Sequence, residues 1–264
     1  MKKLKKVLIS ILSILLIIIL IFISNGLIER AFVNRDIKDF INRSVFVTKI
    51  GDTNYYKVIA NNDEDTSRVF DINDKNYYIG TTGDIILTNR NPLKYSDLLI
   101  TKSIVGVFSK TMFLGHASLV VTDDGAVIVE ITDHINSDNE FIKEEIGVKY
   151  SQNTWITDDD GSPYIIGLRV KGIDESIKEN LLEFISNNIG KPYNHIFIHQ
   201  KDKFYCTDLV SRAYNYSGIN INYDWFFTTG CDLLVSRQTY IIFIREKKIV
   251  RGETFYNVYY LSEE

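Results

Sequence analysis

Three residues of the sequence have side chains and surroundings suited to acyl-transfer chemistry: Cys206, His116 and Glu130. Cys206 is followed by Thr207 and Asp208, which suit the first turn of a helix. A thiol at a helix N-terminus lies beside unpaired backbone N–H groups and the positive end of the helix dipole, which favour the reactive thiolate. The same N–H groups can stabilise an oxyanion. The alternative is an inert cysteine that packs beneath the helix.

His116 and Glu130 have the spacing of two groups that share one end of a β-hairpin. His116 stands between two small residues at the start of an apolar strand, which would hold its ring in one orientation. Glu130 ends a run of Val and Ile that follows the turn Asp123–Gly125. If the two strands pair, the carboxylate can fix the tautomer of the imidazole, the third role of a catalytic triad. A surface histidine and an unrelated strand-end glutamate are the alternative.

The elements that would position these residues begin at Gly80 and predict an α+β fold. Helices and antiparallel strands in separate runs are typical of that class. An amphipathic helix over 174–188 is closed by Gly190, and a second helix runs from near Cys206 to about Tyr216. Alternation and turn signals predict strands at 85–88, 115–121, 125–131, 162–170, 240–245 and 255–261.

The first 26 residues predict a membrane anchor. Four lysines among residues 2–6 precede an uncharged run from Val7 to Ser24, which as a helix is about long enough to cross a bilayer. A cleaved signal peptide is the alternative, although the end of the run is a poor cleavage site. The basic cluster places the lysines in the cytoplasm and the rest of the chain outside the cell.

Residues 27–79 are predicted to form an extension, and residues 80–264 the main domain. Helical spacing covers Glu29 to Arg43, and two alternating segments flank the turn Gly51–Asp52 as in a hairpin.

Composition excludes several classes of protein. A hydrophobic content of 45% predicts a packed core rather than disorder. Without the four leading lysines, 26 basic residues stand against 34 acidic ones, a net charge of −8. Nucleic-acid binding needs a concentrated positive surface, so we expect no nucleic-acid partner. The many Ile, Asn, Lys and Tyr residues, with only three prolines, are typical of a bacterial protein from an AT-rich genome.

In their order, these segments resemble the circularly permuted papain-fold hydrolases, the NlpC-type and YiiX/YaeF-like proteins. In that family the strand with the histidine precedes the helix with the cysteine, the reverse of the order in papain. The resemblance extends from about Gly80 to the C-terminus. Asp208 replaces a glutamate of the family, and Cys231 stands where proline is common. The segments that carry the resemblance are Gly80–Leu87, Gly115–Ala117, Glu130, Gly190–Asn194, Tyr205–Val210 and Thr228–Leu234.

The resemblance implies Cys206 as nucleophile, His116 as base and Glu130 as the group that orients the base. In such a fold Tyr193 and Tyr205 would lie near the nucleophile and bind substrate, unless they pack in the core. The expected function is a membrane-anchored extracellular cysteine hydrolase that cleaves an amide, with peptidoglycan stem peptides as its substrate and no metal or cofactor. A lipid acyltransferase or thioesterase with the same triad is the alternative.

Three rival sites also come from the residues. His195 and His199, four apart, could share a helix face with Cys206 as a third metal ligand, although no glutamate base lies between them. A disulfide between Cys206 and Cys231 would instead make the chain a non-catalytic surface binding module. Gly80–Gly83 is a poor phosphate loop, because it lacks the lysine and spacing of a P-loop.

Overall fold

The computed structural model describes residues 2–73, 78–88, 115–132, 147–154, 164–194, 199–223 and 228–263. It confirms the strands and helices predicted from Gly80 onward, makes the last two strands longer, and adds one strand and one short helix that the sequence did not predict. The elements are α1 Lys2–Asn42, β1 Ser44–Ile50, β2 Thr53–Ile59, β3 Ile85–Thr88, β4 His116–Val120, β5 Val127–Thr132, β6 Gly147–Gln152, β7 Tyr164–Val170, α2 Glu175–Ser186, α3 Cys206–Tyr216, α4 Gly230–Val235, β8 Thr239–Val250 and β9 Glu253–Ser262.

In the described part of the chain, the strands form one nine-stranded sheet in the order β1-β2-β9-β8-β7-β3-β4-β5-β6. Only β2 and β9 pair in parallel, and every other neighbouring pair is antiparallel. Strand β3, in the interior of the sheet, is buried along its whole length, as its mostly apolar sequence predicts. Helix α3 packs on β4 and β5 through buried Leu209, Val210 and Ala213. The core therefore lies between the sheet and α3, beneath the residues expected to carry the chemistry.

The predicted hairpin of the N-terminal extension is confirmed, and it lies in this same sheet. Strand β2 joins β9 over seven residue pairs, from Thr53 beside Tyr256 to Ile59 beside Ser262. The hairpin therefore extends the main sheet instead of standing apart from it. The boundary between extension and main domain stays a prediction.

Helix α1 continues through Gly26 without a break, so the predicted anchor and the predicted helix at Glu29–Arg43 are one helix. Its side chains are exposed from residue 5 to residue 21 where they are described. From Gly26 onward one face is buried at helical spacing, through Glu29, Val33 and Phe40, against α4 and β8. Among the described residues, α1 is the one helix long and apolar enough to span a membrane, a property that signal sequences share.

A buried ion pair fixes the turn that leads into β3. Asp84 accepts two hydrogen bonds from the guanidinium of Arg169, at 2.8 and 2.7 Å, and a third from the backbone N–H of Thr81. Gly80 has φ +82°, and a Cβ at this position would meet the Asp84 carboxylate at 2.8 Å, so glycine is required. The N–H groups of Gly80 and Gly83 donate to Val69 and Val120 within the protein. The loop is therefore a structural turn rather than a phosphate cradle.

Candidate active site

Cys206 is the first residue of α3 and lies almost buried, with 6% of its surface exposed. Tyr205 has extended backbone angles and caps the helix without a side-chain hydrogen bond. The backbone N–H groups in the first turn of such a helix have no partner within the helix and point out of its N-terminus. The Sγ atom of Cys206 lies 3.9 Å from the carbonyl oxygen of Gly115, the residue that precedes His116. The start of α3 and the start of β4 therefore meet at the sulfur.

His116 and Glu130 are in direct contact on neighbouring strands. Ser118 pairs with Glu130 across β4 and β5, and His116 lies two residues earlier on the same face. This diagonal arrangement puts His116 Nε2 2.7 Å from Glu130 Oε2. Because Nε2 faces the carboxylate, Nδ1 is the ring nitrogen available for the hydrogen bond with Cys206.

Ser151 adds a fourth member to this row of side chains. It lies on β6 diagonal to Glu130, whose direct partner is Lys149, and its hydroxyl donates to the other carboxylate oxygen, Oε1, at 2.7 Å. Each oxygen of Glu130 thus has one partner, which fixes the plane of the carboxylate. Ser151 was not among the predicted site residues, because no strand was predicted over residues 147–152. The alternation of Lys149, Tyr150 and Ser151 was the local signal for that strand.

The charges of this row support one another. Burial disfavours the charged form of His116, but hydrogen bonds to Cys206 and Glu130, and the charges of both, outweigh it and raise the pKa of His116 to about 10. Burial also disfavours the charged form of Glu130. The hydrogen bond and charge of His116, with smaller effects of Ser151 and Lys149, nevertheless lower the pKa of Glu130 to about 2. At neutral pH the site therefore holds an imidazolium between a carboxylate and the sulfur.

Arg212 holds the loop that leads into the cysteine. Its guanidinium donates to the carbonyl oxygens of Gln200 and Lys201, at 2.8 and 2.9 Å, and lies 4.0 Å from the ring centroid of Phe204. It also lies 3.4 Å from the carboxylate of Asp208. Burial raises the pKa of Asp208, and the charge and hydrogen bond of Arg212 offset only part of that rise. Sequence reasoning missed this role, although the spacing of Asp208 and Arg212 on one helix was a signal for an ion pair.

The two tyrosines predicted to bind substrate have different surroundings. The hydroxyl oxygen of Tyr205 accepts a hydrogen bond of 2.9 Å from the backbone N–H of Thr228, and only 4% of the residue is exposed. That contact joins the start of α3 to the segment before α4. Tyr193 is partly buried against the core and forms a bridge with Phe204. Tyr205 therefore has an evident structural role, and substrate binding by either tyrosine stays a prediction.

The disulfide alternative is contradicted. Cys206 and Cys231, the two cysteines of the sequence and both described, are separate thiols. Cys231 is fully buried in α4, and burial is the main cause that raises its pKa far above the ordinary value. Of the metal candidates, His195 lies outside the described residues. Within the described ranges, no three His, Cys, Asp or Glu side chains are grouped to hold a metal ion.

Along the chain, the strand that begins at His116 comes before the helix that begins at Cys206. This is the order of elements in a permuted papain-like protein. Residues 80–230 match the sequence model of the permuted papain-like amidases, the YaeF/YiiX or C92 family, and the chain belongs to that family. This is a family of papain-like cysteine peptidases and amidases. The resemblance inferred from the sequence is thereby confirmed.

Two further comparisons concern individual proteins. No curated protein matches the chain in sequence. Among solved structures, the crystal structure of the metalloprotein yiiX from Escherichia coli O157:H7 is similar, with 16% sequence identity and a TM-score of 0.46. That match covers 61% of this chain and 96% of the other.

Proposed function

We propose that this chain is a membrane-anchored cysteine amidase in which Cys206 is the nucleophile, His116 the acid and base, and Glu130 the residue that orients His116. The observation that carries the proposal is the continuous row of contacts from the sulfur through His116 to Glu130 and Ser151. A cysteine that only packed in the core would not require, at its sulfur, an imidazole that is itself held by a carboxylate.

The mechanism follows from the positions of the protons. The thiolate of Cys206 attacks the carbonyl carbon of an amide, and the carbonyl oxygen becomes an oxyanion beside the N-terminus of α3. The imidazolium of His116 gives its proton to the leaving nitrogen, the C–N bond breaks, and an acyl thioester remains on Cys206. Water then attacks the thioester while neutral His116 accepts its proton, which releases the acid and restores the pair. Glu130 keeps the ring in place throughout.

The length and composition of α1 support membrane anchoring, and the lysines before its apolar run support an outward-facing domain. For an amidase outside a bacterial cell, peptidoglycan stem peptides are the substrate that we propose. A lipid acyltransferase or thioesterase with the same triad is the second candidate. It is favoured by the direct continuity of α1 with the body, which holds the site close to lipid.

The test compares three full-length proteins: the wild type, Cys206→Ala and Cys231→Ala. Each is incubated with cell-wall fragments and, separately, with membrane lipid extracts, and the products are identified by mass spectrometry. We expect new products with the wild type and with Cys231→Ala, and none with Cys206→Ala. Full activity of a folded Cys206→Ala protein would contradict the assignment of the nucleophile. The substrate class is decided by which extract yields products.

A further inference from the structure

The pairing of the strands shows in which direction α1 leaves the body. Just after its C-terminal end, the carbonyl oxygen of Arg43 accepts a hydrogen bond from the N–H of Ile59, the last residue of β2, and the Arg43 guanidinium donates one to the carbonyl oxygen of Ile59. Thirteen residues earlier, Arg30 is within electrostatic range of Tyr164: burial and Glu246 raise the pKa of Tyr164 to about 12, and the charge of Arg30 opposes that rise. Tyr164 pairs with Glu246 in the sheet and donates a hydrogen bond of 2.8 Å to it.

These two contacts set α1 along the strands. Glu246 pairs with Asn257, and Asn257 pairs with Asn54 on β2, so Glu246 and Asn54 lie at one level of the sheet. From that level to Ile59 is about 17 Å along β2, and from Arg30 to Arg43 is about 20 Å along α1. The two lengths agree, so α1 runs parallel to β2, and toward its N-terminus α1 continues past the level of Glu246 into its own apolar run.

The tips of both N- and C-terminal hairpins lie in that same direction. Beyond Glu246, strand β8 extends about 13 Å further to Val250, whereas α1 needs only about 9 Å from Arg30 to reach Ser24, the end of its apolar run. The tip between β8 and β9 therefore reaches the level of the apolar run. The neighbouring tip between β1 and β2, at Gly51–Asp52, points the same way but stops about 10 Å short of Val250, because Ile50 pairs with Thr53, Thr53 with Tyr256 and Tyr256 with Lys247. At that level α1 exposes Leu27 and Ile28.

Both tips expose apolar side chains. Ile249 is 69% exposed, Val250 52% and Ile50 55%. Exposed charged side chains lie beside them: the basic residues are Lys49, Lys248 and Arg251, and the acidic residues are Asp52 and Glu253. Three large aliphatic residues at the ends of two adjacent hairpins are unfavourable in water and favourable at the boundary between lipid headgroups and acyl chains. Long basic side chains beside them can extend to the headgroups.

We propose that the tips at Ile50 and Ile249–Val250 insert into the bilayer that α1 crosses and form a second membrane contact. The occupant of this surface is the lipid bilayer itself, because the surface is continuous with the apolar run of α1. The inference rests on the anchoring in the proposed function and deepens it.

A second contact fixes the orientation of the active site. Across the sheet, His116 pairs with Thr88, Thr88 with Ile165, and Ile165 with Arg245, the residue before Glu246. The catalytic end of β4 is therefore the membrane-side end of the sheet. With α1 alone the body can tilt relative to the membrane, whereas the two tips hold this end toward the lipid surface.

The test places a fluorescent label at either end of β8 in the full-length chain. The Cys206→Ala protein receives Ile249→Cys or, as the matched control, Gln238→Cys, an exposed position about 35 Å away along the strand. Cys231 stays in place because it is fully buried. Each protein is labelled with an environment-sensitive dye and reconstituted into vesicles of phosphatidylcholine and phosphatidylglycerol, with or without lipids that carry a nitroxide quencher near the headgroup.

We expect the label at position 249 to lose about half of its fluorescence to the quencher lipids, since an interfacial contact lies within about 5–10 Å of the headgroups, and the label at 238 to lose none. Ile50→Cys should behave as Ile249→Cys does. If the proteins float with the vesicles but all labels escape quenching, the tips are not in the bilayer and the proposal is wrong. A blue shift at 249 without lipid quenching would mean that a protein surface covers the tip, which also overturns it. Failure to float with the vesicles would instead overturn the anchoring in the proposed function.

Discussion

Replacement of Glu130 by glutamine tests the electrostatic basis of the site. The amide keeps the size of the side chain but removes a negative charge 2.7 Å from His116 Nε2. A hydrogen bond to a charged group contributes about 1.5–3 kcal/mol. Because the two side chains are 21% and 14% exposed, solvent weakens the interaction, and we take about 2 kcal/mol from that range. One pH unit in a pKa corresponds to about 1.4 kcal/mol, so the pKa of His116 should fall by about 1.5 pH units in Glu130→Gln.

The assay is an NMR titration of the imidazole of His116 in the full-length chain in detergent. The ring signals are assigned by their absence from a His116→Gln protein. In the wild type the midpoint should lie near pH 10, and in Glu130→Gln clearly below it. Ser151→Ala is the matched control: it removes a neutral donor to the same carboxylate at the same distance, 2.7 Å, and should move the midpoint much less.

Two results would refute this reasoning. A wild-type midpoint near the ordinary value of 6.5 would mean that neither Cys206 nor Glu130 stabilises the imidazolium. Equal midpoints in the wild type and Glu130→Gln would show that the carboxylate only positions the ring.

The same pKa values set the pH range in which the pair stabilises the fold. The pKa of His116 is raised by folding, so its contribution is complete below pH 6.5 and is lost as the pH rises through about 10. The pKa of Glu130 is lowered by folding, so its contribution is present above pH 4.5 and is lost as the pH falls through about 2. Urea unfolding of wild type and Glu130→Gln should therefore differ most between pH 5 and 6.5 and converge at both extremes, provided that the rest of the chain remains folded there.

Three further substitutions test how the scaffold holds the site. Arg169→Met breaks a buried ion pair and should lower the free energy of unfolding by about 3–5 kcal/mol in urea titrations, whereas Lys171→Met, in an exposed pair, should leave it unchanged. Gly125→Ala, with φ +71°, would put a Cβ 2.6 Å from a carbonyl oxygen and should cost about 2–5 kcal/mol. Gly172→Ala, with φ +68° and no atom within 4 Å, should lower the free energy of unfolding by only about 1 kcal/mol. Equal losses in the two alanine variants would contradict the clash at position 125. Arg212→Met should release the loop before the cysteine, seen as faster amide hydrogen exchange at residues 200–203, and unchanged exchange there would refute its role.

Local sequence patterns were sufficient for the elements that carry the three main residues. Apolar runs on either side of the Asp123–Gly125 turn predicted the hairpin of His116 and Glu130, and Thr207 and Asp208 marked the start of the helix at Cys206. Such signals arise within about ten residues, because strand alternation and helix starts depend on neighbours in the chain. The order of histidine and cysteine was likewise a property of the sequence, and it indicated the permuted family.

Contacts between distant segments were decided only by the tertiary structure. Nothing local in Thr53–Ile59 indicates that it pairs in parallel with β9, whose Asn257 is 203 residues from Asn54. The hydroxyl of Ser151 reaches Glu130 only because a strand with weak local signals adds to the edge of the sheet. In each case the partner is chosen by which buried surfaces and strand edges meet after the chain has folded, and a single sequence contains no local record of that choice. The sequence therefore determined which residues can carry the chemistry, and the sheet determined what holds Glu130 in place and at which end of the strands α1 leaves the body.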